Sequence, residues 1–276
     1  MSLRGHARRA AVWIFGPQLT SQYLPALRAR GRSVRYDPKT SWTQRYERLL
    51  AEGELADETT IKRGASPLRT RYHYNAVENA ILEHALRAGL PERPTVLDVG
   101  SGSGHWIDFY REALGAREVV GIEISAAAAQ ALAARYEDAP EVEIRDGDVT
   151  EEGFGLDRRF DVVNAVDVLF HVVDEDAWRR TLRTLAGHLA RGGRLVIAEH
   201  VGLVSHDAGF RRPHPERGEK AGPDRTVVTK RVRSARAWRS CAGQAGLSVL
   251  ASARIRKSRA QPTPANRLLV LGARDG

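Results

Sequence analysis

Between residues 93 and 200 the apolar positions come in short unbroken blocks, separated by longer stretches in which they recur every three or four residues. The blocks suit strands buried on both faces, and the spaced stretches suit helices laid over them. The pattern predicts strands at 95–99, 118–122, 142–145, 160–165 and 194–198, with helices at 104–114, 125–136 and 175–190, the last stopped by Gly192 and Gly193. Alternation of this kind builds a parallel sheet covered by helices. Upstream, 42–50 and 74–88 have helical spacing, with Tyr74, Val77, Ile81, Leu82 and Ala85 on one face. Downstream, a helix at 235–245 and strands at 247–253 and 267–271 complete the pattern. Residues 201–225 show no period and read as an irregular segment of the kind that forms functional lids. The first 36 residues, broken by Gly16-Pro17, Pro25 and Gly31, are expected to hold only loose or short structure.

The first strand of the core runs through Asp98 into Gly100-Ser101-Gly102-Ser103-Gly104 and then into a helix. Glycines there let a ligand approach the backbone, and the helix start turns its free N–H groups toward it. A pyrophosphate-binding turn wants Gly or Ala at the sixth position of Gly-x-Gly-x-x-Gly, where this chain has His105. A nucleotide-like ligand without phosphates fits better. The next strand ends at Glu123-Ile124, where a carboxylate can accept both hydroxyls of a ribose, and the third is followed by Asp148-Val149, an acid and an N–H where an adenine edge would lie.

Together Asp98, Gly100, Gly102, Gly104, Glu123 and Asp148 resemble the class I S-adenosylmethionine-dependent methyltransferases of the small-molecule type. The resemblance is good over 93–200 and loose beyond. It implies S-adenosyl-L-methionine as cofactor, with Asp98 at the methionine amino end, Glu123 on the ribose and Asp148 on the adenine amino group. Ser101, Ile124, Val149 and Asn164 are the neighbouring cofactor-binding positions. The implied fold is α/β, a doubly wound seven-stranded Rossmann-like sheet whose last strand inserts antiparallel. The expected organisation is a basic segment at 1–36, a helical cap at 37–92 and the Rossmann-like domain at 93–276, with the irregular acceptor-side segment at 201–233.

Of 276 residues 42% are hydrophobic, enough for a full core in one domain with extensions. The single cysteine, Cys241, allows no intramolecular disulfide and no cysteine-based zinc cluster, in keeping with a reducing cytoplasm. No apolar run reaches the ~20 residues of a membrane span. The net charge of +9 is unevenly placed: residues 1–36 carry seven arginines and no acid, 93–200 twelve arginines against twenty acids, and 201–276 sixteen bases against five acids. The positive excess thus lies outside the motif-bearing core, which would suit an anionic acceptor or contact with nucleic acid.

Methyl transfer from a sulfonium needs positioning and exclusion of water, plus a base only when the acceptor must lose a proton. The end of the fourth core strand, Asn164 to Val172, faces the methyl group in this fold and offers His171, whose ordinary pKa suits a general base. Small-molecule O-methyltransferases often carry Glu-His-Val there. Phe170 replaces the glutamate, so only the histidine is carried over and no metal is assigned. Glu199 and His200 lie on the same cleft edge, where a solvated strand end explains them better, and Tyr72, His73 and Tyr74 precede the first sheet strand, where they would either close over the methionine end or pack as core aromatics at helical spacing. The Asn/Asp-Pro-Pro-aromatic motif of base-flipping amino methyltransferases is absent. The expected activity is methylation of a small or medium-sized metabolite, at oxygen rather than nitrogen. An RNA or protein methyltransferase docking through its basic flanks and a non-catalytic cofactor-binding regulator are the alternatives.

Overall fold

In chain order the elements are β1 (Ser33–Val34), α1 (Pro38–Ala51), α2 (Pro67–Ala88), β2 (Thr95–Val99), α3 (His105–Leu114), β3 (Glu118–Glu123), α4 (Ala126–Arg135) and β4 (Val142–Asp146). They continue with β5 (Phe160–Val166), a 3-10 turn at Leu169–His171, α5 (Glu175–Gly187), β6 (Leu189–Gly202), β7 (His206–Arg211), β8 (Thr226–Ser234), α6 (Ala235–Gln244), β9 (Leu247–Ile255) and β10 (Ala265–Ala273). This computed structural model describes residues 33–34, 36–56, 66–151, 156–217, 219, 225–255 and 265–273.

Five parallel strands run in the order β4-β3-β2-β5-β6. Strand β10 then pairs antiparallel with β6, and β9 antiparallel with β10, which completes the expected seven-stranded sheet. Side chains alternate across it as a two-residue period requires. Leu97, Val163, Leu195 and Ile197 meet Trp178, Leu182 and Leu185 of α5 and Trp238 of α6 on one face. Val96, Val162, Val196 and Ala198 meet Val77 and Ile81 of α2 and Trp106, Ile107 and Tyr110 of α3 on the other. The buried rings of Trp178 and Trp238 stand edge to face with centroids 4.9 Å apart, an arrangement worth about 0.5–1.5 kcal/mol beyond burial.

Helices α1, α2, α4, α5 and α6 each start at a side chain that accepts an otherwise unpaired N–H: Asp37, Ser66, Ser125, Asp174 and Ser234. Helix α3 differs. Its cap is Gly104, in a left-handed backbone and with no side-chain bond.

Three expectations change. The segment 201–233 is largely strand: β7 pairs antiparallel with β8, and the end of β6 pairs with the end of β8. The predicted helix 175–190 stops at Gly187, because Leu189 pairs with Phe160 and opens β6. A bulge between Phe160 and Val162 takes up the intervening residues, and a Cβ on Gly193 would lie 2.9 Å from the Phe160 carbonyl oxygen. Finally, Ser33–Val34 pairs in parallel with β8 and Tyr36 is buried, so the end of the basic N-terminal segment belongs to the sheet. Residues 1–32 lie outside the described residues.

Candidate active site

The turn after β2 is sharp because the N–H groups of Gly100 and Ser101 both donate to the Ile122 carbonyl, at 2.8 and 3.1 Å. Gly100, Gly102 and Gly104 all have left-handed backbones, with φ of 73, 58 and 93°. Two of them are required by the protein's own packing and not only by a ligand. A Cβ on Gly100 would lie 2.6 Å from Val168 Cγ2, and one on Gly104 would lie 2.5 Å from the Tyr136 hydroxyl. Ser101 is buried and donates its hydroxyl to the Asp98 carbonyl at 3.1 Å. A Cβ on Gly121 would come within 2.8 Å of that hydroxyl oxygen, so a glycine in β3 makes room for the turn.

Asp98 is fully buried, and its Oδ1 accepts from the Asn164 amide at 2.7 Å while Oδ2 has no hydrogen-bond partner in the protein. Desolvation pushes its pKa up to about 6 against the pull of Asn164 and Ser101. Tyr110 donates to Asn164 Oδ1 at 3.1 Å, which fixes the amide with its NH2 toward Asp98. Asn164, expected among the cofactor contacts, is buried and hydrogen-bonded to Asp98 and Tyr110. Glu123, also buried, accepts from Gly102 N at 2.9 Å and Ser125 N at 3.2 Å, tying the turn to the end of β3. Desolvation raises its pKa to about 7, opposed by those bonds and by the N–H of Ile124. The remaining lone-pair capacity of the carboxylate suits donors such as ribose hydroxyls. Asp148 Oδ1 accepts from the N–H and hydroxyl of Thr150, at 2.9 and 2.7 Å, which holds the loop after β4. Val149 is buried in the core beside Leu97 and Val99.

A carboxylate oxygen with no partner in a dry site suits a cationic amino group, and Glu123 suits vicinal hydroxyls. The donor and acceptor set fits the ammonium and the ribose hydroxyls of S-adenosylmethionine.

Helices α1 and α2 pack beside these strand ends. Tyr46 and Leu49 of α1 pack on Ala128 of α4, and Tyr46 lies close enough to Glu123 for that charge, added to desolvation, to raise the phenol pKa. Trp42 meets the His171 ring edge-on at 5.1 Å. From α2, Tyr74 stacks on His105 at 3.4 Å, and Glu78 holds the His105 Nε2 at 2.7 Å. His73 Nε2 lies 3.0 Å from Asp167 Oδ2. Asp167 has φ of 57°, a conformation that costs a non-glycine residue about 1–3 kcal/mol. Trp42, Tyr46 and the His73–Asp167 pair carry no local motif. Helical spacing points to the cap segments, and the sequence marks His73 and the stretch holding Asp167 separately, without sign that they meet.

His171 does not keep the ordinary titration range expected of it. Its Nδ1 lies 3.0 Å from the Thr229 carbonyl oxygen, so the proton sits on Nδ1 and the lone pair on Nε2. Burial and then the Lys230 charge, with a smaller push from Arg45, lower its pKa to about 3. It is a neutral imidazole at physiological pH. Phe170 beside it faces His200 at 5.6 Å, and Lys230 Nζ stands 4.6 Å from the Phe170 ring centre. Arg211 forms a two-point ion pair with buried Glu219.

Residues 96–193 match a family profile described as a methyltransferase domain. No curated protein sequence matches. Among solved structures, an S-adenosylmethionine-dependent methyltransferase from Clostridium acetobutylicum superposes with a TM-score of 0.55 at 12% identity, over 73% of this chain and 92% of its own. A Burkholderia thailandensis 1,6-didemethyltoxoflavin N1-methyltransferase gives 0.54 at 18% identity, over 84% and 91%. An O-methyltransferase from neocarzinostatin biosynthesis gives 0.53 at 19%, over 83% and 61%. Residues 96–193 thus carry a methyltransferase domain, and the chain has the fold of the class I S-adenosylmethionine-dependent methyltransferases.

Proposed function

We propose that this enzyme methylates a small or medium-sized metabolite, at oxygen rather than nitrogen, and that the acceptor carries an anionic group. The observation that supports this reading most is the set of rings at the ends of β5 and β6. Trp42, Phe170, His171 and His200 form a wall of flat side chains beside the cofactor turn, with Lys230 over Phe170. Such walls suit a planar organic acceptor, and the Lys230 and Arg45 charges felt at His171 suit a carboxylate or phenolate. Two structural neighbours are described as bound to flat ring compounds, 1,4-dihydroxy-2-naphthoic acid and 1,6-didemethyltoxoflavin.

In this reading the bound cofactor supplies an electrophilic methyl group. Asp98 and Glu123 fix its two ends, and α1 with α2 excludes water. His171, its proton held on Nδ1 by Thr229, offers Nε2 to accept a hydrogen bond from the acceptor and orient it. The basic C-terminal region is a weaker platform for RNA than its composition suggests. Arg211, Arg231 and Arg233 are engaged by Glu219, Asp207 and Glu175.

The test is incubation with methyl-labelled cofactor and a cell extract split into small molecules, RNA and protein. Label in the small-molecule fraction, with a carbon shift of the new methyl that identifies an ether, is the expected result. Label in RNA or protein, or a protein that binds cofactor and transfers nothing, overturns it.

A further inference from the structure

The turn after β5 holds an acid in a left-handed backbone, and an imidazole from another element reaches it across 94 positions of sequence. The Asp167 N–H donates to the Ala198 carbonyl at 2.8 Å, which sets the residue between the ends of β5 and β6. The next residue, Val168, lies against the α-carbon of Gly100. The pair thus stands where the cofactor turn meets the acceptor side of the cleft. His73 and Asp167 are 17% and 27% exposed, enough for a ligand to touch them and too little for bulk water to separate them.

We propose that His73, oriented by Asp167, is the group that takes the acceptor's proton during methyl transfer. The proposal rests on the reading of a hydroxyl acceptor given above. In its base form the ring gives Nε2–H to Asp167, which leaves the lone pair on Nδ1. As the acceptor oxygen bonds to the methyl carbon, its O–H bond breaks and the proton moves to His73 Nδ1. The electron pair of the broken carbon–sulfur bond stays on sulfur, and the imidazolium formed faces the Asp167 carboxylate until it releases the proton to water. A carboxylate behind an imidazole stabilises that charged form and fixes the tautomer, the role an orienting acid plays in other base pairs. His171 is less suited because Lys230 and Arg45 oppose a positive charge on it. The other titratable groups nearby are His171, which feels Asp167, Glu199 and His200 at the end of β6, and the Glu78–His105 pair beside Tyr74.

Two experiments on the full chain decide it. Nitrogen NMR of 15N-histidine-labelled protein with S-adenosylhomocysteine should show His73 protonated at Nε2, and Asp167→Asn should mix its tautomers. A wild-type ring protonated at Nδ1, or a tautomer indifferent to Asp167→Asn, overturns the pair. With the small-molecule fraction as acceptor, His73→Ala should lower the transfer rate by roughly a hundredfold or more. Its affinity for S-adenosylhomocysteine should stay within about threefold of wild type, and added imidazole should restore part of the rate. An unchanged rate overturns the proposal, as does a loss confined to cofactor affinity, which would place His73 on the methionine end. A wild type that labels no small molecule sinks the functional reading itself, a result distinct from a wild type that labels one at a rate His73→Ala leaves unchanged.

Discussion

His171 stands edge-on to Trp42 with one ring nitrogen engaged by a backbone carbonyl, and that geometry decides what its removal should do. Because the ring is neutral down to about pH 3, it contributes no ionisation to the working range. His171→Asn should lower turnover by roughly tenfold, the loss of about one orienting hydrogen bond, and leave the acid side of the pH–rate profile where the wild type has it. An acid limb that disappears in this variant would restore His171 as the base. The comparison also shows which residues could be read in advance. The places of Asp98, the three glycines, Glu123 and Asp148 at the ends of β2, β3 and β4 were legible because each lies in or beside the end of a strand that the apolar pattern marks. His73 and Asp167 were not legible as a pair, because nothing local to either residue marks the other. The low pKa of His171 was equally hidden, since it comes from burial and from cations on β8 and α1.

At the scale of elements, the contact between the start of α3 and the end of α4 depends on Gly104 having no side chain. The Tyr136 hydroxyl donates to the Gly104 carbonyl at 3.1 Å and is 2.9 Å from Asp108 Oδ1, and Arg135 also reaches the turn at the Ser103 carbonyl. Gly104→Ala should cost about 2 kcal/mol, from a strained φ and from the clash with that hydroxyl. Adding Tyr136→Phe removes the clashing atom, so denaturation of the two single variants and the double should show a coupling of about 1 kcal/mol in the direction of rescue. Strict additivity would mean that the turn relaxes away from Tyr136. The buried strands β2, β3 and β5 were readable because both faces are apolar. Strands β7 and β8 were not, because Val227, Val228 and Val232 are interleaved with Thr229, Lys230 and Arg231, and Gly209 interrupts the partner strand. A half-exposed strand with charged residues on its open face has a pattern close to that of a loop.

For the whole molecule, the cofactor site concentrates cost in two buried carboxyl groups. Both have pKa values raised by folding, Asp98 to about 6 and Glu123 to about 7, so the ligand-free protein binds more protons than its unfolded chain between about pH 4 and pH 7. Its stability contribution from these groups is largest at low pH and is lost as pH rises through that window. A ligand that presents an ammonium to Asp98 and hydroxyl donors to Glu123 favours the ionised forms, so binding must release protons near neutrality and tighten as pH rises. Charge elsewhere is arranged independently of this: Arg211, Arg231 and Arg233 pair with Glu219, Asp207 and Glu175.

Calorimetry of S-adenosylhomocysteine binding, in buffers of different ionisation enthalpy, tests the central claim most directly. Wild type should bind with net proton release and roughly tenfold more tightly at about pH 8 than at about pH 6, the span over which Glu123 ionises. Glu123→Ala should weaken binding by about 1–3 kcal/mol and remove most of that pH dependence. Binding that takes up protons, an affinity indifferent to Glu123→Ala, or a preference for a dinucleotide would contradict the assignment of this turn to S-adenosylmethionine.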